Sequence, residues 1–248
     1  MRTIKRSFTV ILLLAVTITN AQFKKGDKMA GASIGSIVYN TGSADITVAS
    51  IGSNTSLIKS YSVSIIPSMG WFLTGNTAVG FTANLNPNGQ KTTYEQGGTT
   101  FQSDKSNGFN IGVGGFARNY FKSSGTLMPY GQAGINVGIS NLKTEGFFYG
   151  GSGASAYKQT YTDSSSGGFF ANAALNLGVT KMVGETTGLD LYFGYNYSYN
   201  KNTFKRTTLR DDGNNGSIDS RAENETTTSY TNHGFMIGLG FQVFLRKK

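Results

Sequence analysis

The chain has 248 residues, with 22 Lys+Arg, 13 Asp+Glu, one His and no Cys, for a formal charge of +9. Charged residues are 14% of the total, against about 25% in ordinary soluble domains, while Gly reaches 34 and Pro only 3. This excludes a disulfide framework and an anchor through a lipidated cysteine, and no apolar run is long enough for a membrane-spanning helix.

At the N-terminus, Arg2, Lys5 and Arg6 precede an apolar run from Phe8 to Val16, followed by the small-residue site Thr19-Asn20-Ala21. That order of regions reads as a secretory signal peptide over 1–21, leaving 22–248 as a single domain. Loss of the three leader basic residues takes the 22 Lys+Arg to 19 against 13 acids, a mature charge of +6. Export argues against nucleic acid as a partner, and anionic lipid headgroups or surface polysaccharide fit the basic excess instead.

A first strand is predicted over Lys28 to Tyr39, with its outward face weakly determined: Ala30, Ala32, Ile34, Ser36 and Val38 alternate with Met29, Gly31, Ser33, Gly35 and Ile37. Asn40 to Ser56 reads as a polar loop. From Tyr61 to Leu85 the pattern is clear: Tyr61, Val63, Ile65, Pro67, Met69, Trp71 and Leu73 form one face, Thr74 to Thr77 turn the chain, and Val79, Phe81, Ala83 and Leu85 resume the alternation. Asn86-Pro87-Asn88-Gly89 has strong turn chemistry, and a polar loop is expected to about Ser106.

The fourth strand, Gly108 to Phe121, sets Phe109, Ile111, Val113 and Ala117 against Asn110, Gly112, Arg118 and Tyr120. After a short turn at Lys122 to Thr126, the fifth runs over Met128 to Leu142 with Ala133, Ile135, Val137 and Ile139 outward. Lys143 to Ser166 reads as a long loop. The sixth strand covers Gly168 to Val183, Gly184 to Gly188 turn, and the seventh alternates Leu189, Leu191, Phe193, Tyr195, Tyr197 and Tyr199 with Asp190, Tyr192, Gly194, Asn196 and Ser198. Asn200 to Thr228 reads as the longest loop, and the closing strand carries Phe235, Ile237, Leu239, Phe241, Val243 and Leu245 outward.

The fold predicted from this pattern is all-β: an eight-stranded antiparallel up-and-down transmembrane β-barrel with three short periplasmic turns and four long external loops. In lipid every backbone polar group needs an internal partner, so the sheet has to close on itself. A soluble eight-stranded barrel would instead carry charge outside and an apolar cavity within. Aromatics collect at the strand ends. Trp71, Phe72, Tyr120, Phe121, Tyr130, Phe241 and Phe244 are expected near the turns and Tyr197, Tyr199 and Tyr230 near the loops, as two belts at headgroup level.

The segment IIPSMGWFLTGNTAVGFTANL, with its Pro67-x-x-Gly70-Trp71-Phe72 strand end, and the closing GFMIGLGFQVFL resemble the small outer-membrane β-barrel family that includes OmpA-like and OmpX-like barrels. The chain departs from that family's usual terminal aromatic by continuing past Phe244 with Leu245-Arg246-Lys247-Lys248. The resemblance implies a Gram-negative outer membrane, insertion by the barrel assembly machinery, contact with outer-membrane lipids and lipopolysaccharide, and no cofactor. It also implies a structural or surface-interaction role through the loops, reaching a surface protein or glycan, with a narrow passive porin as the alternative.

Few residues suggest chemistry. The only histidine, His233, has Phe at position 235, where a His-x-Ser dyad of lipid-trimming barrels would need Ser, although Ser229 and Thr231 share its face. No enzyme, catalytic residue or metal site is therefore expected. Asp211 to Asp219 is rich in oxygen ligands, but Gly213 at the third position and Ala222 at the twelfth break the EF-hand pattern. Arg118 and Asp190 are the two charges that alternation turns into the lumen; they are expected either to pair across it and plug the barrel or to meet water separately at its open end.

Overall fold

In the computed structural model the described residues are 23–48, 52–121, 125–151 and 156–246, so the leader expected over 1–21 lies outside them. Eight strands follow in order: β1 (Lys28–Val48), β2 (Gly52–Phe72), β3 (Thr77–Gln96), β4 (Thr99–Tyr120), β5 (Leu127–Gly150), β6 (Tyr157–Met182), β7 (Thr187–Asp212) and β8 (Ser220–Leu245). Each pairs antiparallel with its neighbour, and β1 pairs with β8, giving a closed barrel in sequence order. The connections at 73–76, 121–126 and 183–186 and both chain ends share one end of the barrel, and the four hairpin tips lie at the other.

The exterior is an apolar band. Ile65, Phe81, Val113, Ile135, Leu177, Phe193 and Ile237 are all exposed although large and hydrophobic. Residues one position away on the same strands face a lumen lined mainly by Asn, Ser, Gly and Thr, the inverse of a soluble barrel.

Between Ile34 and Ser36 the register of β1 against β2 shifts. Up to Ile34 the outward residues have even numbers, and beyond the shift Ile37 and Tyr39 sit opposite the outward Val63 and Tyr61. A one-residue bulge thus swaps parity within β1 and reconciles a pattern that strict alternation leaves ambiguous.

The segments read as long loops are mostly strand. Residues 40–48, 52–56, 86–96, 99–106, 143–150, 157–166, 200–212 and 220–228 continue the ladders, so the strands span 20 to 26 residues. Only about 9–11 residues are needed to cross a bilayer. At about 3.3 Å per residue, the remainder extends roughly 30–55 Å as paired hairpins. Outside lipid both faces are wet, so the ladder persists without the apolar alternation that reveals a strand in sequence.

The predicted turn at Asn86 to Gly89 also lies inside β3, with Pro87 opposite Phe109 of β4. The β2–β3 ladder breaks between Ser62↔Asn88 and Ile65↔Leu85, where Pro87 has no N–H to give. The Asn86 side chain fills the break: its Nδ2 donates to the Val63 carbonyl at 2.8 Å and to Ser62 Oγ at 3.1 Å.

Closure between the first and last strands is short. It spans seven residue pairs, Lys28↔Leu245 to Ile34↔Leu239. Beyond it the strands diverge, and both Ile37–Asp45 of β1 and Ser220–Phe235 of β8 are exposed on each face.

Candidate functional site

The lumen is blocked near the turn end. Arg118 of β4 and Asp190 of β7 point inward from opposite walls, and Arg118 Nη1 donates to Asp190 Oδ2 at 2.8 Å with both side chains buried. Arg118 Nε donates to Gln132 Oε1 at 2.7 Å and Nη1 also donates to the Tyr120 hydroxyl at 3.0 Å. Its guanidinium lies 4.0 Å from the centre of the Tyr130 ring. On the other side, Asp190 Oδ1 accepts from the Thr180 hydroxyl and Oδ2 from Gln242 Nε2 at 3.2 Å. A buried pair of this kind is tolerable because each partner also makes further hydrogen bonds, Arg118 donating to Gln132 and Tyr120 and Asp190 accepting from Thr180 and Gln242.

Aromatic rings seal the space below the ion pair. Phe23 stacks on Phe72 with centroids 4.1 Å apart and lies 4.8 Å from Phe244 and 5.4 Å from Tyr120. Met29, Met128 and Ala78 complete this buried layer. The backbone yields where the rings are large: a Cβ on Gly178 would fall 2.6 Å from Tyr130 Cζ, so only glycine lets that tyrosine lie across β6.

These contacts correct the expected belts. Phe72, Tyr120, Tyr130 and Phe244 are each 1% exposed and fill the barrel. Tyr120 shares the inward parity of Arg118, Tyr130 that of Gln132 and Phe244 that of Gln242, a signal already present in the alternation. Tyr230 is opposite the inward Asn200 and on the same face as Gln242, so it too leaves the outer belt. Trp71, Phe121, Phe241, Tyr197 and Tyr199 face outward, Trp71 edge-on to Phe81 at 5.8 Å.

Above the plug is a cavity of about 300 Å³ walled by amides, among them Asn84, Asn136, Asn172, Asn176 and Asn196. It holds no charge apart from Arg118, which Asp190 neutralises. The architecture is that of a small transmembrane β-barrel.

Farther out, inside the projecting hairpins, a second polar cluster escaped sequence reasoning. Arg206 of β7 grips Asp163 of β6 bidentately, Nε and Nη2 each at 2.6 Å, and lies 4.7 Å from the Tyr161 ring, whose hydroxyl donates to Asp104 of β4. Burial, and then the hydrogen bond to the Asp104 carboxylate, push the Tyr161 hydroxyl well above its usual pKa. The hydrogen bonds that the Arg206 guanidinium donates to Asp163 hold it more firmly protonated. A register shift between Ser165 and Gly168 turns Asp163 inward, so plain alternation from Phe169 assigns it the wrong face.

His233 sits on the outer face opposite Tyr197, with its ring 6.1 Å from that of Tyr195. In the 211–219 segment, Asp211 accepts from the Asn215 and Gly216 amides at 2.9 and 2.8 Å, and Asp219 accepts from the Asp212 amide at 2.6 Å. These oxygens hold the hairpin tip together.

Among solved structures the chain is similar to the outer membrane protein OprG from Pseudomonas aeruginosa, at 13% identity, covering 90% of this chain and 99% of that one with a TM-score of 0.36. It is likewise similar to the outer membrane protein AlkL in DMPC bilayers (15%, 93% and 95%, 0.35) and to the outer membrane protease OmpT from Escherichia coli (11%, 93% and 100%, 0.32). No family model and no curated protein matches the chain.

Proposed function

We propose that the chain is an integral outer-membrane barrel that does not conduct and that acts at the cell surface through its four projecting hairpins, contacting a surface protein or glycan. On this reading the short turns are periplasmic, the barrel assembly machinery inserts the chain, and the lipids around it are outer-membrane lipids with lipopolysaccharide. The observation that carries the reading is the plug: Arg118 and Asp190 meet across the lumen above a layer of Phe23, Phe72 and Phe244. Eight strands enclose a space that side chains can fill, and here they close it near the turn end. The projecting hairpins are far longer than a minimal barrel requires, which points to use outside the membrane.

The test is single-channel recording on the mature chain refolded in a planar bilayer, alongside heat-modifiable gel mobility. A mobility shift without current supports a plugged barrel. Steady current would move the reading to a narrow porin with the amide-lined cavity as its path. Loss of a lipid-modifying activity on His233→Ala would instead make the protein an enzyme.

A further inference from the structure

We propose that the outer face of β2, β3 and β4, just beyond the apolar band, docks the phosphate-bearing headgroup of a lipid. Lys59 is directly opposite Lys91, and Lys91 directly opposite Lys105. The three lysines thus occupy one rung of three adjacent strands, about 4.8 Å apart and on the same face, and all are exposed. Like charges placed directly opposite destabilise a sheet, so this arrangement calls for an anion. The rung ends at Thr41 on one side and Glu145 on the other. Glu145 is bridged by Lys143, whose hydrogen bond is the main cause of its lowered pKa, with Lys105 a smaller one. Lys59 and Lys91 have no acid beside them on the rung. A phosphate centred over Lys91 presents several oxygens and can accept charge-assisted hydrogen bonds from all three ammonium groups.

The neighbouring rungs favour a lipid over a soluble phosphate. On the hairpin side, Leu57, Thr93 and Ser103 supply two hydroxyls beside the lysines. On the membrane side Tyr61 is opposite Gly89, and a Cβ there would fall 2.6 Å from the tyrosine Cε1. The ring therefore lies across β3 directly beneath the lysines, which only glycine permits. Below it the wall continues through Ile65, Phe109 and Ile111, exposed and apolar, as acyl chains require. The basic rung sits where headgroup phosphates meet the apolar band.

The proposal rests on the membrane reading, which the gel shift tests separately. The mature chain is refolded in phosphatidylcholine nanodiscs with and without phosphatidylglycerol, and the midpoint of heat-modifiable mobility is read. Phosphatidylglycerol is expected to raise the midpoint at low salt, less so at high salt. The triple change Lys59→Gln, Lys91→Gln and Lys105→Gln should abolish that rise, yet raise the midpoint in pure phosphatidylcholine by removing the repulsion. A control carrying Lys181→Gln, Lys201→Gln and Lys205→Gln, with the same loss of charge on the outer face of β6 and β7, should keep the response. No response in the unaltered chain, an equal loss in both triple variants, or full reproduction by inorganic phosphate without phosphatidylglycerol would each overturn the site.

Discussion

Arg118 and Asp190 are 72 residues apart in the chain and 2.8 Å apart across the lumen, each buried and each held by further hydrogen bonds. Removing one partner leaves the other charge buried and without its counter-charge. Asp190→Ala is therefore expected to cost about 3–5 kcal/mol and to lower the heat-modifiability midpoint sharply. Replacing both, as Arg118→Met with Asp190→Leu, should cost less than either single change. A single variant with unchanged heat stability and conductance would count against the plug.

Phe23 is the keystone of the aromatic layer, in contact with Phe72, Phe244 and Tyr120. Phe23→Ala removes a buried ring, for which about 3–5 kcal/mol is typical. It is expected to lower the midpoint while leaving Arg118–Asp190 in place, so conductance should remain absent. Current through this variant would show that the rings and not the ion pair block the lumen.

The seven-pair closure between β1 and β8 predicts uneven protection of the backbone. Amides of Ile37–Val48 that face the diverging edge and those of Ser220–Gly238 on the same side lack ladder partners there and should exchange with deuterium fastest among the strands. Amides in Phe109–Tyr120 and Gly131–Ile139, paired on both sides, should be slowest. Uniform protection around the barrel would contradict the short closure.

Tyr161 gives the hairpins an alkaline limit. Its folded pKa lies above its ordinary value of about 10, raised by burial and then by the Asp104 carboxylate. The protonated form is thus favoured by folding: the stabilisation is complete below about pH 10 and is lost as pH climbs from there through the raised folded value. Proteolytic resistance of the hairpins should fall over that range, and Tyr161→Phe should remove the limb.

Trp71, the single tryptophan, faces outward beside Phe81. Its fluorescence should be quenched strongly by lipids brominated near the headgroup end of the chains and weakly by those brominated near the bilayer centre. The opposite order would move the turn end of the band into the membrane interior.

The amino-acid sequence alone determined the strand number, the alternation that puts apolar side chains outside, the even count that gathers the short turns at one end, and the inward parity of Arg118 and Asp190. These follow from a period of two imposed by the pleat and by contact with lipid, and both act residue by residue. Where lipid ends, that constraint ends too, so 86–96 or 200–212 reads as loop although its backbone stays in the ladder. Pro87 looked like a turn because its missing N–H is a local fact, whereas the Asn86 side chain that replaces it acts across strands. The tertiary structure decided the rest: the bulges that swap the parity of β1 and turn Asp163 inward, and the register that sets Lys59, Lys91 and Lys105 abreast. Register is a relation between strands far apart in the chain, and no single strand's sequence contains it.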